Sequence, residues 1–143
     1  MLWLLARAQR RVASATDVSF ADLDLTATQA GALFCFTDEG LLIGELAAAL
    51  DLAQSAASGL AMRLEAADLV TRGEEQGDGR AARLRLTPVG KRKREEAARR
   101  AHAANSRLLA GFTASEADII VRWLNHVADT TAPSKRQKQK EKS

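Results

Sequence analysis

LAAALDLAQSAASGLAMRLEAADLV at residues 46–70, running on into TRGEEQGDGRAARLRLTPVG at residues 71–90, decides how this chain folds. Leu46, Ala47, Leu50, Ala57, Leu60, Ala61 and Leu64 recur at three- and four-residue steps, and Asp51-Leu52-Ala53-Gln54 interrupts the run. That pattern predicts two short helices joined by a turn. From Leu69 the period changes. Leu69-Val70-Thr71-Arg72 is strand-like, Gly77-Asp78-Gly79-Arg80 is a turn, and Ala82-Arg83-Leu84-Arg85-Leu86 alternates apolar with charged residues. The two segments form a hairpin with a basic tip. Thr87 then caps a helix that has Pro88 at its first position, where the missing N–H costs nothing. A helix-turn-helix followed by a hairpin is a winged helix.

Working outward, Thr26 and Gln29 make a capping box, so a helix begins at Ala27. It runs through Ala30, Leu33 and Phe34 and ends near Asp38-Glu39-Gly40, where glycine takes the left-handed terminating conformation. Leu41-Leu42-Ile43 is expected as a short third strand beside the hairpin, and no strong cap precedes Glu45. Leu2 to about Ser14 reads as a terminal helix, and Asp17 to Asp24 as polar and irregular chain. From Pro88 to about Leu109 an unbroken helix about 33 Å long is expected. Its apolar line is thin, which suits a connecting strut. Gly111 ends it, and Thr113 with Glu116 forms a second capping box. Ala117, Ile120, Val121, Leu124 and Val127 then lie along one face of a last helix.

One domain with a real core fits 143 residues, and the six aromatic side chains among abundant alanine and leucine favour packed helices over a sheet sandwich. The class is mainly α with a small β-hairpin wing. No apolar run approaches the ~20 residues that span a bilayer, and the first residues are too short an apolar run for a signal peptide. A soluble cytoplasmic protein without membrane partners is the expectation. The single cysteine, Cys35, forms no internal disulfide, no His/Cys cluster has zinc spacing, and no phosphate loop or catalytic triad order occurs, so neither enzyme activity, metal nor cofactor is expected.

Charge is uneven. Residues 1–62 carry 3 basic and 7 acidic side chains, residues 63–107 carry 12 and 7, and the last nine residues carry 5 and 1. Positive charge concentrated on the wing, the following helix and the tail points to a polyanion. The tail, 133–143, has no apolar side chain to anchor it and is expected to be disordered.

The ordered set Glu45-Leu46-Ala47, Arg63-Leu64-Glu65, Leu69-Val70-x-Arg72, Asp78-x-Arg80 and Leu86-Thr87-x-x-Gly90 closely resembles MarR-type transcriptional regulators, over roughly residues 25–127. Two departures stand out: Gly59 lies inside the second helix of the motif, and Asp68 replaces the usual glycine before Leu69. The resemblance implies a single winged helix-turn-helix domain over 1–132. Its DNA-binding lobe would span about 26–90, and its N- and C-terminal dimerisation helices about 1–15 and 91–128. It also implies a homodimer on a pseudo-palindromic operator. A small aromatic or anionic effector would bind between the dimer helices and the lobe, with Trp3, Arg7, Phe34 and His102 as its expected lining.

If the motif's second helix enters the major groove, Gln54, Ser55, Ala56 and Ser58 face base edges, with glutamine able to pair bidentately with adenine. Arg80 at the wing tip suits a narrow minor groove, and Asp78 would orient it. Arg63 and Arg72 are expected on phosphates or on wing carboxylates. Arg83 and Arg85 share a face of the outer strand, so one of them suits a backbone contact. Lys91-Arg92-Lys93-Arg94 opposes the helix dipole, which points to a phosphate or simply to a charged surface. Cys35, set among Leu33, Phe34 and Phe36, reads as structural rather than redox-sensing. The expected function is a ligand-responsive repressor acting on double-stranded DNA. The competing reading is a winged helix that binds an acidic protein partner through its wing and tail.

Overall fold

The computed structural model describes residues 1–73 and 83–131. The wing turn with Asp78 and Arg80 and the basic tail lie outside them. Among the described residues six α-helices and one hairpin follow in order: α1 (Leu2–Phe20), α2 (Ala27–Cys35), α3 (Ile43–Ala49), α4 (Gln54–Ala66), β1 (Val70–Gly73), β2 (Arg83–Leu86), α5 (Pro88–Leu108) and α6 (Ala114–Thr131). The chain divides into two compact units, Met1–Ala103 and Ala104–Ser143.

In the first unit, Leu33, Leu46, Leu60, Leu64, Leu69 and Leu84 are completely buried, so α2, α3, α4 and the hairpin share one core. β1 and β2 pair antiparallel, Val70 opposite Leu86 and Gly73 opposite Arg83. The expected third strand shrinks to a single bridge, in which Leu41 and Leu84 exchange backbone hydrogen bonds of 2.8 and 2.9 Å. Ile43 already begins α3, because the Glu45 carboxylate accepts the Leu42 N–H at 2.8 Å and starts the helix earlier than expected.

The Thr26–Gln29 capping box forms as expected. α2, however, stops at Cys35. Phe36 turns extended and buries its ring, and Gly40 at φ +86° closes the following turn by donating to the Thr37 carbonyl. α1 is longer than its expected end near Ser14. It continues to Phe20, and a 3-10 turn over Ala21–Leu23 stops at Asp24 in the left-handed region. Two tertiary contacts explain the extension: Phe20 is 4% exposed, and the Asp17 carboxylate accepts the Ala27 N–H. Asp68, where the resemblance has glycine, takes the left-handed conformation at φ +55°.

Thr87 caps α5 by accepting the Gly90 N–H at 2.9 Å, while its hydroxyl donates to the Asp68 carbonyl at 2.6 Å. In the second unit the Thr113–Glu116 box opens α6. The Thr113 N–H and hydroxyl hold the Glu116 carboxyl below its usual range. No residue of α6 is buried, and Ile119, Val121, Trp123 and Leu124 are all more than a third exposed.

Candidate nucleic-acid interface

α4 is an amphipathic rod about 20 Å long. Ala57, Leu60, Ala61 and Leu64 are at most 1% exposed and anchor it. Gln54, Ser55, Ala56 and Arg63 stand on the solvent side, and Ser58 is half-buried. None of the described side chains caps its first turn. The polar residues there are therefore not consumed as caps, and the turn's N–H groups add partial positive charge to an exposed end. The Ser58 hydroxyl is engaged, donating to the Gln54 carbonyl at 2.9 Å. Gln54, Ser55 and Ala56 thus share the exposed first turn, with Arg63 two turns further on.

The arginines of the hairpin sort by strand face. Arg72 shares the strand face of buried Val70, so its guanidinium folds back onto α4. There Nε donates to both Glu65 carboxylate oxygens at 2.9 and 3.0 Å. Its partner is a carboxylate of α4, not the wing carboxylate expected. β2 is not an outer strand either, since the Leu41 bridge flanks it. The Leu41 side of the sheet turns Arg83 inward, where it donates to the Gly40 carbonyl at 3.2 Å and lies 3.5 Å from Glu45. Arg85 remains exposed.

The basic run opening α5 also divides. Lys93 lies 3.8 Å from Asp24, and Arg94 donates to the Phe36 carbonyl at 3.1 Å, so these two tie α5 to the α2 region. Lys91 and Arg92 stay on the surface. Further along, Arg100 clamps the end of α1. It donates to the Ser19 carbonyl at 2.6 Å and pairs with Asp22 and Glu96. Sequence periodicity carried no sign of the Ser19 and Asp22 contacts, because these residues lie far from Arg100 along the chain.

Of the expected effector residues, Trp3 and Arg7 come together, the guanidinium carbon 5.4 Å from the ring centre, a cation–π distance. Trp3 is 65% and Phe34 44% exposed, and His102 is on the surface of α5. Cys35 is half-buried and donates to the Gly31 carbonyl, and burial raises its thiol pKa. A thiol held protonated in this way suits a structural role. Among the described residues, no group of His, Cys, Asp or Glu could hold a metal ion. No described helix is long and apolar enough to cross a membrane.

The geometry is that of a winged helix-turn-helix protein. Residues 23–81 match the MarR family model, and the chain has the fold of a MarR-family transcriptional regulator. CouR of Rhodococcus jostii RHA1, solved bound to p-coumaroyl-CoA, is 27% identical, with a TM-score of 0.79 over 87% of this chain and 89% of that one. BpsR of Bordetella bronchiseptica, whose DNA binding is regulated by 6-hydroxynicotinic acid, is 28% identical, with a TM-score of 0.77 over 88% and 91%. The MepR–DNA complex of S. aureus shares the fold at 20% identity, with a TM-score of 0.80 over 90% and 95%. A comparison with curated proteins returned no match.

Proposed function

We propose that the chain is a ligand-responsive transcriptional repressor that acts in the cytoplasm as a homodimer on a pseudo-palindromic operator. The carrying observation is α4: a buried inner face, an uncapped and exposed first turn, and Gln54, Ser55 and Ala56 displayed on that turn. Two copies present two such helices to successive major grooves, as helix-turn-helix dimers do. Arg63 and Arg85 are exposed and suit phosphates. Arg72 and Arg83, which pair with Glu65 and Glu45, are proposed as further contacts once those pairs exchange for phosphates. Arg80 and Asp78 keep the minor-groove role that their sequence suggests.

The domain organisation that goes with this function is a DNA-binding lobe over about 26–90 flanked by dimerisation helices, with residues 133–143 as a basic accessory. CouR and BpsR are linked with an aromatic acyl thioester and an aromatic acid. A small aromatic or anionic effector is correspondingly proposed here, with exposed Trp3 and Arg7 stacked as one recognition pair, and Phe34 and His102 as further contacts. The effector acts by favouring a lobe arrangement that does not fit DNA.

Selection of bound sequences from random duplex DNA tests the proposal. A two-fold-symmetric site that loses base preference inside each half when Gln54 becomes Ala supports it. Salt-insensitive failure to retain any duplex, with an acidic protein retained instead, replaces it with the interaction-module reading.

A further inference from the structure

The outward side of α4 carries one large apolar side chain. At 100° per residue, buried Ala57, Leu60, Ala61 and Leu64 set the inward direction, and Ser55, Gly59, Met62 and Ala66 lie opposite. Met62 is 64% exposed and is the only large apolar side chain on that side of the helix. It has no share in the core. Ser58 bonds the helix backbone, and an Arg63 guanidinium nitrogen lies 3.6 Å from where a Cβ on Gly59 would stand, so Arg63 reaches over the outward side at Gly59. The hydrogen-bonding readers are thus Gln54 and Ser55 at the first turn and Arg63 at Gly59. Beside them the helix offers the Ala56 methyl and the Met62 thioether.

Major-groove edges differ in the partner they need. Guanine, cytosine and adenine present hydrogen-bonding groups and no methyl there, while thymine adds a 5-methyl group. Seating a guanine or cytosine edge against Met62 strips water from polar atoms and supplies no hydrogen bond in return, which is unfavourable. A thymine methyl against the same thioether buries apolar surface on both sides. Because the proposed partner is duplex DNA, we propose that Met62, together with Ala56, reads thymine 5-methyl groups, so that each half-site is rich in A·T pairs beneath the middle of α4. The inference rests on the DNA-binding reading above. It adds Met62 to the specificity-determining residues and makes apolar contact a discriminator beside the hydrogen bonds of Gln54.

The test uses the full-length protein and a duplex selected from the random pool, rebuilt with each thymine replaced in turn by deoxyuridine, which lacks only the methyl group. Affinity should fall about fourfold at one or two positions in each half-site, the value of one buried methyl. Met62→Ala, an exposed change checked for unaltered thermal unfolding, should abolish the thymine preference at one of those positions and leave the other base preferences intact. Met62→Leu should retain it. Parent affinity for the fully uracil-substituted duplex, or an unchanged thymine preference in Met62→Ala, overturns the inference while leaving DNA binding standing. A pool that yields no bound duplex overturns the DNA reading itself and this inference with it.

Discussion

Gly90 shows why one residue of the Leu-Thr-x-x-Gly sequence tolerates no substitute: a Cβ there would stand 2.0 Å from the Leu69 carbonyl oxygen. Gly90→Ala must push two backbone segments apart and should lower stability by about 1–3 kcal/mol or more, read as a fall in melting temperature. Gly59 is the opposite case, since a Cβ would meet only the end of the Arg63 side chain at 3.6 Å inside a helix. Gly59→Ala should raise stability by about 0.5–1 kcal/mol, and an unchanged or lower melting temperature would refute that. Around Arg100, its hydrogen bonds hold the Asp22 carboxyl below its usual range, and Arg99 and Arg100 do the same for Glu96. Both acids have lowered folded pKa values. Their contribution is therefore complete above the ordinary carboxylate range and is lost as pH falls through the lowered values, with Arg100 charged throughout. Thermal unfolding followed from neutral to acid pH should be less acid-sensitive in Arg100→Met than in the parent, the two curves converging at the acid end. The glycine was legible in the sequence as part of a pattern, but the carbonyl behind it was not. Likewise, Lys91 to Arg94 read as one basic group, and only tertiary contacts separate Lys93 and Arg94, tied to Asp24 and Phe36, from their exposed neighbours.

Among the elements, those whose limits are written in local chemistry were legible. Thr26 with Gln29, Thr87 before Pro88, and Thr113 with Glu116 each start a helix at the expected residue. Thr87→Ala removes an acceptor for the Gly90 N–H and a donor to the Asp68 carbonyl, and should cost about 1 kcal/mol of stability. A loss of the cap alone should leave DNA selectivity unchanged, so selection with this variant checks that it acts on folding. Limits set by distant contacts were not legible. α1 overran its expected end because buried Phe20 and the Asp17–Ala27 hydrogen bond reward continuation of a polar stretch. One local start was missed as well: the three-residue strand contracted to Leu41 because Glu45, three residues on, accepts the Leu42 N–H without the usual polar cap residue to announce it. On α4, periodicity placed the exposed first turn of Gln54, Ser55 and Ala56, whereas the 64% exposure of Met62 is seen only in the fold.

At the scale of the molecule, each end of the chain leaves an apolar helix face without cover. Leu2, Trp3 and Leu4 are at least 59% exposed on α1, and α6 buries none of its residues. Exposed apolar surface of this kind marks an interaction site. In the proposed dimer it is covered by a second copy, so the mass in solution should be twice 15.4 kDa. Leu124→Asp combined with Ile120→Asp should disperse that species and abolish operator binding, while far-ultraviolet circular dichroism stays helical. A parent protein that stays monomeric at all concentrations and still binds the operator would refute the dimer. The corner between α4 and α5 bears on how such an assembly would respond to an effector. Leu69 presses on Gly90 with no clearance, and the Thr87 hydroxyl bridges the Asp68 carbonyl to the Gly90 N–H. The first turn of α5 is therefore tied directly to the segment that follows α4. In the proposed dimer a tilt imposed on that turn would swing α4 with it, as a crank turns its shaft, and change the spacing between the two copies of α4 without any hinge inside the lobe.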